Sequence, residues 1–250
     1  MTTIRAGAAA AGKAGLSADR KAAAWIGVLY VIGTLGMVLS VIVTNAILSG
    51  PDYLAQVAAQ PNQVAVGALL LLVAGLALAL VPVVFWPIGK RYNETLAMGF
   101  VVFRGAIEAV LYIVGVLCWL LLIPLSKEPD AGLLASFVHT TETVVWDQVI
   151  AIPFALGALM FYAVLYQSRL VPRWLSAWGL VGAALYIVAP LGSMFALSLG
   201  FFMAPLALQE MVMAVWLIAK GFDPSAIAPE PAGTTSGWRA TASSASGSPA

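Results

Sequence analysis

The sequence predicts an all-α, polytopic transmembrane bundle of six spans with both termini cytoplasmic. Three observations predict it. Six long apolar segments occupy most of the 250 residues. Charged residues make up only 9% of the chain and hydrophobic ones 62%, whereas a soluble domain carries about 25% charged residues. The basic residues outside the segments fall on one side of them, with a single exception.

The segments follow in order. Residues 1–21 are small and polar with no apolar period, and read as a disordered cytoplasmic tail. The first span runs from Ala22 to Leu48, too long for the apolar core of a cleaved signal, which is about 7–15 residues. The second runs from Val64 to Ile88, the third from Leu96 to Ile123 and the fourth from Thr143 to Tyr166. The fifth covers Trp174 to Leu197 and the sixth Phe202 to Ala219, joined by a short turn around Gly200. Each approaches or exceeds the roughly 20 residues that cross a bilayer as a helix. Pro51–Ala59 reads as a short interfacial helix. Asp130–His139, with Leu133, Leu134 and Phe137 on one face, reads as a second surface helix. The chain then divides into a tail (1–21), a six-helix domain (22–222) and an Ala/Ser/Gly/Pro-rich tail (223–250).

Orientation follows from the loops. Arg5, Lys13, Arg20 and Lys21 precede the first span, Lys90 and Arg91 separate the second from the third, Arg169 and Arg173 separate the fourth from the fifth, and Lys220 and Arg239 follow the sixth. The opposite side has only Lys127, beside Glu128 and Asp130. The positive-inside rule places the basic side, with both termini, in the cytoplasm. Trp86, Tyr92, Tyr166, Trp174 and Trp178 flank that boundary, and Trp119 and Trp146 flank the other.

Three charges lie inside spans. Arg104 and Glu108 share one face of the third at i,i+4 spacing, and Glu210 lies in the sixth. Each costs about 2.5–3.5 kcal/mol to bury in hydrocarbon even on the lenient insertion scale, so each needs a partner or a function. Glu108 is about twelve residues from the inner end of its span and Glu210 about ten from Lys220, so at ~1.5 Å per residue they share a level. Gln209 can join as a neutral partner. Arg can fork to two carboxylates, which leaves one negative charge to be met by a proton or a cationic ligand. The alternative is a structural ion cluster that ties helices together. His139, Glu142, Asp147 and Gln148 near the outer end of span four are candidates to line an outer entrance, or ordinary polar residues near the headgroups.

Other chemistries are excluded or unsupported. Cys118 is the only cysteine and His139 the only histidine, so multi-cysteine clusters and paired-His metal motifs cannot form within the chain. The run Gly7–Lys13 has the spacing of a phosphate loop, but Ala14 stands where Ser or Thr is required and no strand precedes it. Neither G-x-S-x-G nor HExxH occurs, so no enzyme activity, cofactor or metal is expected. No basic, aromatic-interleaved patch suggests nucleic acid. The partners expected are the lipid bilayer, a small-molecule ligand and a second copy of the chain.

The run RLVPRWLSAWGLVGA (169–183), the segment LQEMVMAVWLIAKGF (208–222) and the Arg-x-x-x-Glu of span three resemble an uncharacterised bacterial membrane-protein family, domain of unknown function 4386. The resemblance covers Arg20 to Phe222. It implies a six-helix membrane domain in a cell membrane and no established activity. Two functional readings therefore stand: an ion-linked, transporter-like bundle that binds a small ligand at the Arg104–Glu108–Glu210 cluster, or a non-transporting scaffold or regulatory partner in which that cluster is structural.

Overall fold

The computed structural model describes residues 2–227, with side chains from Ala18 onward; residues 228–250 of the expected C-terminal tail lie outside the described residues. Among the described residues all regular structure is helical. That is the expected answer to an apolar solvent, in which every backbone N–H and C=O must be paired within its own segment. Six helices are long and apolar enough to cross a membrane: Ala18–Leu48, Pro61–Gly89, Glu94–Leu125, Gly132–Ser168, Arg173–Ser193 and Gly200–Ala219. The chain is thus a multi-pass membrane protein by length and composition.

Helix α1 (Thr2–Leu48) carries the first span, and the short α2 (Tyr53–Ala59) follows it. Helix α3 (Pro61–Gly89) starts with a proline in its first turn, where the missing N–H has no intrahelical acceptor anyway. The third span starts at α4 (Glu94–Phe100), capped by Asn93, whose side-chain oxygen accepts from the Leu96 N–H at 3.0 Å. It passes through a π-helical stretch (Val101–Ile107) into α5 (Glu108–Leu125). The fourth combines α6 (Gly132–Val144), a second π-helical stretch (Val145–Val149) and α7 (Ala151–Ser168). Helix α8 (Arg173–Ser193), a 3₁₀ turn (Gly200–Met203) and α9 (Ala204–Ala219) complete the fold.

Consecutive spans pack side by side, and α9 returns against α1, so the six spans close into a ring. The closure is pinned at the end that carries both the first and the last span. Gly221 takes φ +77°, a left-handed value that frees it to end α9, and its N–H turns back to the Trp216 carbonyl at 3.2 Å. The last α9 carbonyls are then capped from another span: Arg20 donates to Leu217, Ile218 and Ala219 at 3.1, 2.7 and 3.3 Å. Outside the ring, large apolar side chains face outward, among them Ile42, Leu69 and Val215 at 66%, 60% and 63% exposure. Such a belt on every side fits lipid as the surrounding medium.

Two expectations need correction. The region 130–139 is not a separate surface helix: α6 is the first part of the helix that carries span four, with Ala135 and Val138 buried while Leu133, Leu134 and Phe137 point outward. No glycine or proline interrupts residues 133–152, so the helix propagates beyond the apolar stretch, and the one widened turn lies just before Pro153. Ordered contacts also begin before residue 22. Helix α1 runs through the segment read as a tail; Arg20 caps α9, and buried Asp19 pairs with Arg91 at 3.1 Å. Asp19 and Arg20 have partners that are distant in sequence, which composition alone cannot reveal.

Candidate functional site

The site is built around Arg104. Its backbone lies in the π-helical stretch of span three, where the Glu108 N–H reaches back five residues to the Phe103 carbonyl. Such widened turns are rare and gather at functional sites. The neighbouring span makes room for the wider turn. At Gly157 of α7, an added Cβ would lie 3.1 Å from Arg104 Cβ and 3.2 Å from its backbone nitrogen.

Three charges converge here. Arg104 Nε lies 3.5 Å from Glu108 Oε2, and a terminal nitrogen of the same guanidinium lies 3.3 Å from Glu210 Oε1 on α9. Arg104, Glu108 and Glu210 are 1%, 2% and 8% exposed. The guanidinium also lies over aromatic faces, 4.3 Å from the Phe154 ring centre and 5.5 Å from that of Tyr30. A cation over a desolvated ring gains on the order of 2 kcal/mol. The arginine is therefore held by both carboxylates and by two rings.

The ion pairs are loose. Charge-assisted N–H···O⁻ bonds are about 2.7–2.9 Å long, and neither pair reaches that length. Arg104 Nε, a terminal Arg104 nitrogen, Glu108 Oε2 and Glu210 Oε1 have no hydrogen-bond partner within the protein. Buried polar atoms are almost always paired, so this concentration at one place calls for an explanation. All three residues line a cavity of about 180 Å³. Its walls come from all six spans: Thr34 and Met37 of the first, Leu78 of the second, Tyr112 of the third, Trp146 and Phe154 of the fourth, Tyr186 of the fifth and Ala207 of the sixth. The aromatic lining is ordered, with Tyr112 edge-on to Trp146 at 5.2 Å and Tyr186 tilted on Phe154 at 4.7 Å. One cation and two carboxylates leave a formal excess of one negative charge in an aromatic pocket.

The other expected residues are placed differently. Gln209 is buried next to Glu210 in sequence but turns toward span five, donating to the Leu175 carbonyl at 3.0 Å. His139 stacks on Tyr53 of α2 at 4.3 Å. Asp147 is exposed, and its backbone carbonyl accepts from Ser193 at 3.0 Å. Glu142 and Gln148 are half-buried, and none of these four lines the cavity. The wall in that region is Trp146 and Ile150, on the turn where the second π-helical stretch closes with an Ile150 N–H to Val145 carbonyl bond of 2.9 Å. The sequence reading missed Trp146, Tyr112, Phe154 and Tyr186 as wall residues. Tyr and Trp within spans three to five were the available signal, but the depth at which each faces inward was not.

Fold and site together define a multi-pass membrane protein whose ring of six spans encloses a charged, aromatic-lined cavity. The chain belongs to the family described as Domain of unknown function (DUF4386), which matches residues 25–221. No curated protein and no solved structure matches it.

Proposed function

We propose that this is an ion-linked, transporter-like protein of a bacterial cytoplasmic membrane, with both termini in the cytoplasm, that takes a small cationic ligand into the central cavity. One observation carries the reading: the unsatisfied polar atoms of Arg104, Glu108 and Glu210 belong to residues that line a cavity walled by all six spans. A cluster serving only as a tie gains nothing from loose ion pairs set beside a cavity. The excess carboxylate charge and the aromatic walls favour a cation. At about 180 Å³ the cavity is below the roughly 300–1,000 Å³ of drug-sized ligand sites, so the ligand is small. Glu210 is the responsive carboxylate, because Glu108 has Arg104 on its own span while Glu210 meets it across a helix boundary.

In reconstituted protein, methylammonium, tetramethylammonium and sodium serve as probes. Binding or flux of one of them should depend on proton or cation concentration, and Glu210→Gln should abolish that dependence while keeping thermal stability. A folded Glu210→Gln protein that matches wild type in every such assay rejects the reading. Orientation is tested separately. Reporter fusions after Lys21, Pro61, Arg91, Lys127, Arg173 and Phe222 should read inside, outside, inside, outside, inside, inside.

The scaffold reading has its own support. Toward the face that carries Arg20 and Lys220, Phe85, Phe100 and Phe161 of spans two, three and four pack into a buried aromatic cluster. A bundle closed at one end is a receptor or regulatory partner unless it opens, and a homodimer offers the second surface against which it could do so.

A further inference from the structure

We propose that the groove between the α7–α8 connection and the end of α9 binds the phosphate of an anionic phospholipid headgroup. It has a volume of about 510 Å³, separate from the central cavity, and lies on the face that carries Arg20 and Lys220. Three cations line it: Arg169 and Arg173 from the connection and Lys220 from the end of α9. All three are exposed, and among the described residues no carboxylate lies within ion-pair distance of any of them. One carboxylate, Asp223, shares the lining, so three positive charges and one negative leave an excess of two positive charges. Asp223 is already engaged, accepting from the Ser225 N–H at 2.9 Å and its hydroxyl at 2.7 Å.

The groove is built into the fold. The Asp223 N–H donates to the Leu170 carbonyl at 2.8 Å, which fastens the chain after α9 to the connection between α7 and α8. Arg169 is one of only two non-glycine residues at positive φ among the described residues, at 58°, where the chain leaves α7 and turns into the groove. Arg173 rests on the Tyr166 ring at 5.3 Å, which holds its guanidinium while leaving its donors open. Arginine donors match the geometry of phosphate oxygens.

What favours a lipid over a soluble phosphate is the aromatic rim. Trp216 lines the groove, Trp174 stands edge-on to it at 6.4 Å and is half exposed, and Trp178 stacks on Trp174 at 6.4 Å. Indoles collect at the headgroup level of a bilayer, and basic pockets at that level between spans take anionic headgroups. A phosphate held at this depth comes attached to acyl chains lying against the outward-facing apolar belt.

The full chain in zwitterionic detergent tests the assignment. Short-chain phosphatidylglycerol, phosphatidylcholine and inorganic phosphate are titrated separately, with thermal midpoint and tryptophan fluorescence as readouts. Phosphatidylglycerol should raise the midpoint and change the fluorescence at low salt; phosphatidylcholine should not. Replacing Arg169, Arg173 and Lys220 with Gln should weaken its binding by about a hundredfold, from the contribution of three basic charges. Asp223→Asn should strengthen it, and this variant keeps the proposal testable if the triple variant folds poorly. A triple variant that folds and binds phosphatidylglycerol like wild type overturns the site. Inorganic phosphate binding as tightly as phosphatidylglycerol, and lost in the triple variant, overturns the lipid as the source of the phosphate.

Discussion

The two halves of the ring are filled in opposite ways. Toward the face with Arg20 and Lys220, Phe85, Phe100 and Phe161 meet, with Phe85 edge-on to Phe161 at 4.9 Å and Phe100 stacked on it at 4.7 Å, and Phe222 and Tyr162 close around them. These rings are buried. Toward the opposite face the same six spans leave a cavity, with Arg104, Glu108 and Glu210 at its inner end, next to the plug. The difference lies in what each half can tolerate losing. A close-packed apolar plug pays for every missing atom in lost contacts. A charged cavity depends instead on keeping its charges matched.

The largest effect should come from unmatching them. Arg104→Ala strands two buried carboxylates, and removing one member of a buried ion cluster costs about 3–5 kcal/mol. Combining it with Glu108→Gln and Glu210→Gln should restore most of that loss. Thermal or denaturant unfolding in detergent reads it out, and a triple variant no more stable than Arg104→Ala would falsify the pairing.

Phe161→Ala attacks the plug. Large aromatic-to-alanine changes in soluble cores cost about 3–5 kcal/mol. Here about 3 is expected, because lipid-exposed unfolded spans lose little transfer free energy and the packing loss dominates. Phe154→Ala, in the cavity wall, should cost clearly less in stability; equal losses at the two positions would erase the contrast between the halves.

Gly157→Ala probes the boundary between them. The added methyl meets Arg104 at 3.1–3.2 Å, so about 1–3 kcal/mol of overpacking is expected. The same change should shift the guanidinium and weaken cation binding in the cavity. Intact stability with intact binding would show that the π-helical turn of span three does not need this gap.

The smallest effect lies beyond the plug, at Asp223. Its carboxyl is held below the ordinary range by hydrogen bonds from Ser225. A depressed folded pKa contributes stability that is present above the unfolded pKa and is lost as pH falls through the folded one. Ser225→Ala should therefore raise the Asp223 titration toward its ordinary value and slightly weaken the fold at pH above that transition, with no effect below it. Carbon-detected NMR of the carboxyl measures it, and an unchanged titration in Ser225→Ala would remove the stated cause.

Much of this protein was legible in its letters, and the rest was not, for reasons that particular residues make plain. The six spans follow from apolar length, because a helix in lipid satisfies its own backbone whatever its neighbours do. Arg104, Glu108 and Glu210 stand out for the same local reason: charge at that depth is costly wherever it points. Which polar groups meet was decided elsewhere. Gln209 and Glu210 are adjacent in sequence, yet one donates to Leu175 and the other faces Arg104. Nothing in VVFRGAI or VWDQV marks a π-helical turn, and nothing in the polar run from His139 to Gln148 reveals that Trp146 faces the cavity while Asp147 does not. Those outcomes depend on how each helix is rotated about its axis. That rotation is set by side chains from distant spans, such as the contact of Gly157 with Arg104 and of Arg20 with the end of α9. The existence of a span is a property of one segment; the inward face it presents belongs to the ring.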